Sequence, residues 1–208
     1  MRHFAISVLL IVSTLAASAA RADDKFEPYG YLTIGASRSA ALFQDTLDDA
    51  FAPAKSHVSD SWGANAHAGY RFHKYLAGEV EYEWMQHFQF REGLTSDNGV
   101  DFGNIQTHVA TANLKVIAPF GAFQPYFLVG TGAIFTRVNK AFNIRYDVAN
   151  VAFTMKFGAG LDYWLSQNLS LSLGAEVVTN EAKITGTGGS SGRGIDYLTG
   201  QFGFGYRF

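Results

Sequence analysis

The final eight residues, 201–208, read Q-F-G-F-G-Y-R-F, and they restrict what the chain can fold into more sharply than anything before them. Phe202, Phe204, Tyr206 and Phe208 alternate with Gly203, Gly205 and Arg207, so an extended strand here is aromatic on one face and small or charged on the other. A strand at the end of a chain presents an open edge, and an edge this apolar aggregates unless it is paired. Pairing it with the first strand closes the sheet into a cylinder. Aromatic outside and polar inside reverses the pattern of a water-soluble barrel and suits one surrounded by lipid.

The same inversion recurs upstream. Over residues 75–90, Leu76, Val80, Tyr82, Trp84 and Phe88 share one parity, while Glu79, Glu81, Glu83 and His87 fall on or beside the other. Three carboxylates on every second residue cannot face hydrocarbon, so they are expected to face a lumen. A length of 208 residues and a net charge of -2 fit one domain and give no electrostatic case for nucleic acid. With no cysteine, the chain has neither disulfides nor thiolate ligands nor a cysteine nucleophile.

Export is read from residues 1–22. Arg2 and His3 precede an apolar run over 4–17, and Ala20 and Ala22 flank Arg21 as a signal peptidase site, which predicts a cleaved leader and a mature domain of 23–208. The run is shorter than the ~20 residues a spanning helix needs, and nothing later is longer, so membrane contact falls to strands.

Eight such strands are expected, at residues 29–37, 61–72, 75–90, 104–118, 125–137, 150–165, from 169 onward, and finally up to 208. In the fifth, Phe127, Val129, Ala133 and Phe135 are assigned outward and Gly130 and Gly132 inward; in the sixth, Phe153, Met155, Phe157, Ala159, Leu161 and Tyr163 are outward. Connections after the odd strands are long and polar, as at Asp45, Asp48 and Asp49 and again at 97–99 and 180–194, whereas those after the even strands are short. An up-and-down barrel puts all odd connections at one end, and lipid-facing barrels make that end the extracellular one. The expected fold is all-β, a closed eight-stranded antiparallel up-and-down transmembrane β-barrel.

Residues 111–132 (T-A-N-L-K-V-I-A-P-F-G-A-F-Q-P-Y-F-L-V-G-T-G), residues 157–171 (F-G-A-G-L-D-Y-W-L-S-Q-N-L-S-L) and the terminal Y-R-F resemble the small outer-membrane β-barrel family, the OmpA/OmpX-like and opacity-type porin-family barrels. The resemblance spans the mature chain. It implies a bacterial outer-membrane location, contact with outer-membrane lipid and lipopolysaccharide, and a C-terminal signal for the barrel assembly machinery carried by Phe202, Phe204, Tyr206 and Phe208. No peptidoglycan-binding domain follows the barrel, so an anchoring role does not transfer.

An eight-stranded barrel is only wide enough for side chains to fill it. Pairing about a turn at His73 and Lys74 sets His67 opposite Glu81 and Asn65 opposite Glu83, with Arg71 diagonal to Glu79. Height along the barrel sets Lys115 near Glu79, Lys156 near Glu176 and Arg207 near Glu27. The expected lumen network is therefore Glu27, His67, Arg71, Glu79, Glu81, Glu83, Lys115, Lys156, Asp162, Glu176 and Arg207. Opposite charges on neighbouring strands account for it as a plug, without paired-carboxylate catalysis or a metal. Two aromatic girdles are expected, with Tyr70, Phe72 and Tyr163 near the short turns and Trp62, Trp84, Phe88, Phe135 and Tyr197 near the long loops.

A competing class is the lipid A-modifying barrel, which uses a His with a nearby Ser and acid. Neither His87 nor His108 has Ser two residues on, where Gln89 and Ala110 stand, and no G-x-S-x-G elbow occurs. The mature histidines His57, His67, His73, His87 and His108 have no metal-ligand spacing. The sequence thus reads as a non-enzymatic, monomeric surface scaffold without cofactor, metal or catalytic residues, presenting four long extracellular loops to a host or surface ligand; the alternatives are the lipid A enzyme, a narrow porin-like channel and a soluble lipocalin-like carrier.

Overall fold

A computed structural model describes residues 26–42, 56–92, 100–139, 149–180, 185–186, 189–190 and 196–208. The leader, Asp45, Asp48, Asp49 and residues 97–99 lie outside the described residues, as do the side chains of His57 and His87. Eight long strands make the fold: β1 (Tyr29–Ala41), β2 (Ser61–His73), β3 (Leu76–Glu92), β4 (Val100–Ile117), β5 (Phe123–Asn139), β6 (Ala149–Trp164), β7 (Leu169–Asn180) and β8 (Tyr197–Arg207). Each pairs antiparallel with its sequence neighbours, and β8 pairs with β1. The cylinder is therefore closed.

Closure is in register along its whole seam: Leu32 faces Tyr206, Ile34 faces Phe204 and Ala36 faces Phe202. The Phe208 amide donates to the Gly30 carbonyl at 3.0 Å, so the last residue is tied down as well. The outer wall is largely apolar, with Ile34, Val80, Leu173 and Phe204 each exposed on the side away from the lumen. The even connections are short, at 74–75, 118–122 and 165–168. Gly121 turns the second of these at φ 64, a left-handed conformation that glycine adopts without steric cost.

Most strands run longer than the sequence patterns indicate, the sixth matching its expected length, and two extra pieces of sheet appear. Ser56–Val58 pairs with the end of β3, and Thr185–Gly186 pairs with Gly189–Ser190, within stretches whose polarity reads as loop. Polarity marks a solvated segment without excluding backbone pairing there.

Two girdle assignments are corrected. Phe88 is fully buried, because β3 carries one extra residue against β4 between Met85 and Phe88, and that bulge inverts the parity beyond it. Tyr197 is also fully buried, since it shares the inward parity of Thr199 and Gln201. The two rings meet inside at 6.1 Å and help close the loop end of the lumen. Trp62, Tyr70, Phe72, Phe135 and Tyr163 do lie exposed on the outer wall, and Trp84 is half-buried.

Candidate functional site

The interior is stacked in layers by the period-two alternation of all eight strands. Its central layer is charged. Lys156 on β6 is completely buried, and its Nζ lies 2.6 Å from Glu81, 2.8 Å from Glu176 and 3.8 Å from Glu83. Gln201 on β8 donates to Glu176 at 2.9 Å and to Glu81 at 3.2 Å, while Tyr197 and Thr199 donate to Glu83 at 3.3 and 3.2 Å. His67 Nδ1 sits 3.3 Å from Glu79, which also accepts from the Tyr31 hydroxyl at 2.7 Å. Asn113 on β4 bridges the two groups, donating to Glu81 at 2.9 Å and to Glu79 at 3.4 Å.

Four buried carboxylates thus share one lysine, one histidine and a ring of neutral donors, the arrangement that lets a charge survive away from water. His67, Glu79 and Glu81 bring one ligand atom each within 4.8 Å of one another, so this corner has the donor chemistry for a cation or a shared proton. Toward the short turns, Lys115 pairs with Asp162 at 2.8 Å and lies 3.7 Å over the Tyr126 ring, with Ser172 donating to Asp162 at 2.8 Å.

Pairing about the first short turn sets His67 against Glu81 and Asn65 against Glu83. Three members of the expected network sit elsewhere. Arg71 does not reach Glu79; a register shift between Arg71 and His73 exposes the Lys74 carbonyl, to which Arg71 donates along with Tyr29 and Gln124. Glu27 is exposed in the lead-in, where no strand pairing fixes its direction. Arg207 lies over the Tyr29 and Trp164 rings at 4.7 and 5.7 Å. Sequence reasoning missed the neutral members, Tyr31, Asn113, Tyr197, Thr199 and Gln201; their inward parity was the available signal, overlooked because only formal charges were paired.

Two glycines make room for the layer. A Cβ on Gly130 would stand 1.8 Å from Asn113 Oδ1, and one on Gly160 would stand 2.4 Å from the Tyr126 ring and hydroxyl. Gly130→Ala is expected to rotate the Asn113 amide off Glu81 and destabilise the barrel by about 1–3 kcal/mol, the range for orphaning a buried polar group. Urea unfolding in lipid vesicles checks it: in an Asn113→Ala background the same substitution should have little further effect.

His108 projects from the outer wall, 2.6 Å from the Tyr82 hydroxyl, rather than into this interior.

The family model for the outer membrane protein beta-barrel domain matches residues 7–208, nearly the whole chain. The chain belongs to the outer-membrane β-barrel family. The protein is therefore a bacterial outer-membrane barrel. Solved structures with this fold include OprG from Pseudomonas aeruginosa, 16% identical with a TM-score of 0.56, covering 86% of this chain and 95% of that one. Neisserial surface protein A is 12% identical at TM-score 0.53, again covering 86% and 95%. Ail, the attachment invasion locus protein of Yersinia pestis, in complex with the heparin analogue sucrose octasulfate, is 16% identical at TM-score 0.52, covering 88% and 100%. No curated protein matches the chain.

Proposed function

We propose that the barrel is a sealed, non-enzymatic scaffold that holds its long extracellular connections at the cell surface for a host or surface ligand. The observation that carries this reading is the central layer, in which Lys156, Glu81, Glu83 and Glu176 are each no more than 3% exposed and the lysine reaches all three carboxylates across the lumen. A water-filled pathway needs mobile, solvated walls at that height. On this reading the leader at 1–22 is removed on export, the terminal aromatics direct assembly, and lipid and lipopolysaccharide contact the wall. Ail, solved with a heparin analogue, is a barrel of the same fold whose complex fits a ligand-presenting role.

The deciding experiment is a planar-bilayer recording of the refolded protein, which is expected to give no stable single-channel currents. Steady unitary conductance would establish the narrow channel instead. The enzymatic alternative is tested separately: deleting the gene should leave the lipid A acyl profile unchanged, and a changed profile would replace the scaffold reading.

A further inference from the structure

The short-turn mouth holds a second, differently charged site. A cavity of about 20 Å³ opens below the charged layer, lined among others by Tyr29, Arg71, Lys115, Gln124, Trp164 and Ser170. Arg71 is only 4% exposed, and the three groups to which it donates, the Tyr29 hydroxyl, the Gln124 amide oxygen and the Lys74 carbonyl, are all neutral. Its Nε–H makes no hydrogen bond within the protein, and neither does the buried indole N–H of Trp164. Both residues line the same cavity.

The charge balance points the same way. Lys115 is taken by Asp162, the carboxylate lining the cavity, at 2.8 Å. Within the cavity lining that leaves Arg71 without a carboxylate partner, and Arg207 places a second cation over the Tyr29 and Trp164 rings. A buried guanidinium with only neutral partners is unfavourable unless a negative charge joins it. The two unpartnered donors then select the ligand. The Arg71 Nε–H and the Trp164 indole N–H are single donors that offer one hydrogen bond each, which suits a spherical monovalent anion, and the cavity opens toward the mouth, so its volume does not fix the occupant.

We propose that this cavity is a binding site for a halide-sized monovalent anion, chloride in the cell, held by the Arg71 Nε–H and the Trp164 indole N–H. The site neutralises the periplasmic mouth of the lumen and fixes β2 against β6 across the barrel.

Crystals of the detergent-refolded full-length barrel soaked in sodium bromide test the position, and thermal unfolding, read as loss of heat-modifiable gel mobility, tests it in solution. The expected results are an anomalous bromide peak within hydrogen-bonding distance of Arg71 and Trp164, and an unfolding midpoint that rises saturably in sodium bromide or chloride over sodium gluconate at equal ionic strength. Arg71→Gln should abolish the rise. Trp164→Phe, which keeps the ring and removes the N–H, should weaken it and carries the test if the arginine variant does not fold. Water without anomalous signal, the chain's own Glu27 carboxylate in the cavity, or equal midpoints in halide and gluconate would each overturn the proposal. So would a peak with no shift in solution, which marks an adventitious ion only.

Discussion

Lys156→Met is expected to lower the unfolding free energy of the barrel in lipid by about 3–5 kcal/mol, the range for removing one member of a buried ion pair. Lys156 is the only lysine or arginine the described structure places in contact with Glu81, Glu83 and Glu176, at 2.6, 3.8 and 2.8 Å. Methionine fills nearly the same volume, so the loss isolates charge from packing. It leaves Glu83 and Glu176 with neutral donors alone among the described residues, and Glu81 with only the more distant His67, 3.8 Å away and also engaged with Glu79 at 3.3 Å. Neutralising the partners as well, in Lys156→Met with Glu81→Gln and Glu176→Gln, should recover much of the loss, because what destabilises is the uncompensated charge. Urea unfolding in large unilamellar vesicles, followed by tryptophan fluorescence, measures both. A Lys156→Met barrel as stable as the parent would mean that the layer is not an energetic unit and that the lumen is wetter than its burial indicates.

The second large effect is on the other side of the wall. Ile34 is 60% exposed and pairs with Phe204 on β8 and Ala66 on β2, midway between the Trp62 and Tyr70 levels of the two girdles. Arginine at the bilayer midplane of a barrel costs about 2–4 kcal/mol, and near the interface about 0–1 kcal/mol. Ile34→Arg is expected to fall in the first range and Leu42→Arg, just beyond the end of β1, in the second. The same vesicle assay checks both, and equal losses at the two positions would show that the apolar wall does not face hydrocarbon at the depth its girdles mark.

Much of this architecture was legible in the chain because a strand's parity is rigid: once Glu79, Glu81 and Glu83 are inward, Val80 and Tyr82 have no other direction to take. The seam between β1 and β8 followed from the aromatic terminus, and the sorting of long and short connections supplied the topology. Parity fails where a residue is inserted, and Phe88 is the example, since nothing in M-Q-H-F announces a bulge. Tyr197 misled for a different reason: an aromatic near the loop end was read by chemical type, although its spacing from Gln201 already placed it inside. Charge pairing was predictable in sign and less so in partner. Lys156 goes to Glu176 because their strands adjoin, but Arg71 turns to the Lys74 carbonyl and Lys115 to Asp162, choices made by side-chain reach and by a register shift that no pattern of residue types encodes.

The central claim, charges sealed inside a wall that faces lipid, is tested most directly on the unaltered protein by solid-state NMR in bilayers, with magnetisation transferred from lipid acyl chains or from water to the side chains. Acyl-chain contacts are predicted for Ile34, Val80 and Leu173, and the Glu81 carboxylate and Lys156 Nζ should correlate with each other and with neither lipid nor bulk water. Acyl contacts at Glu81, or rapid water exchange at Lys156 with none of the outer residues touching lipid, would contradict it.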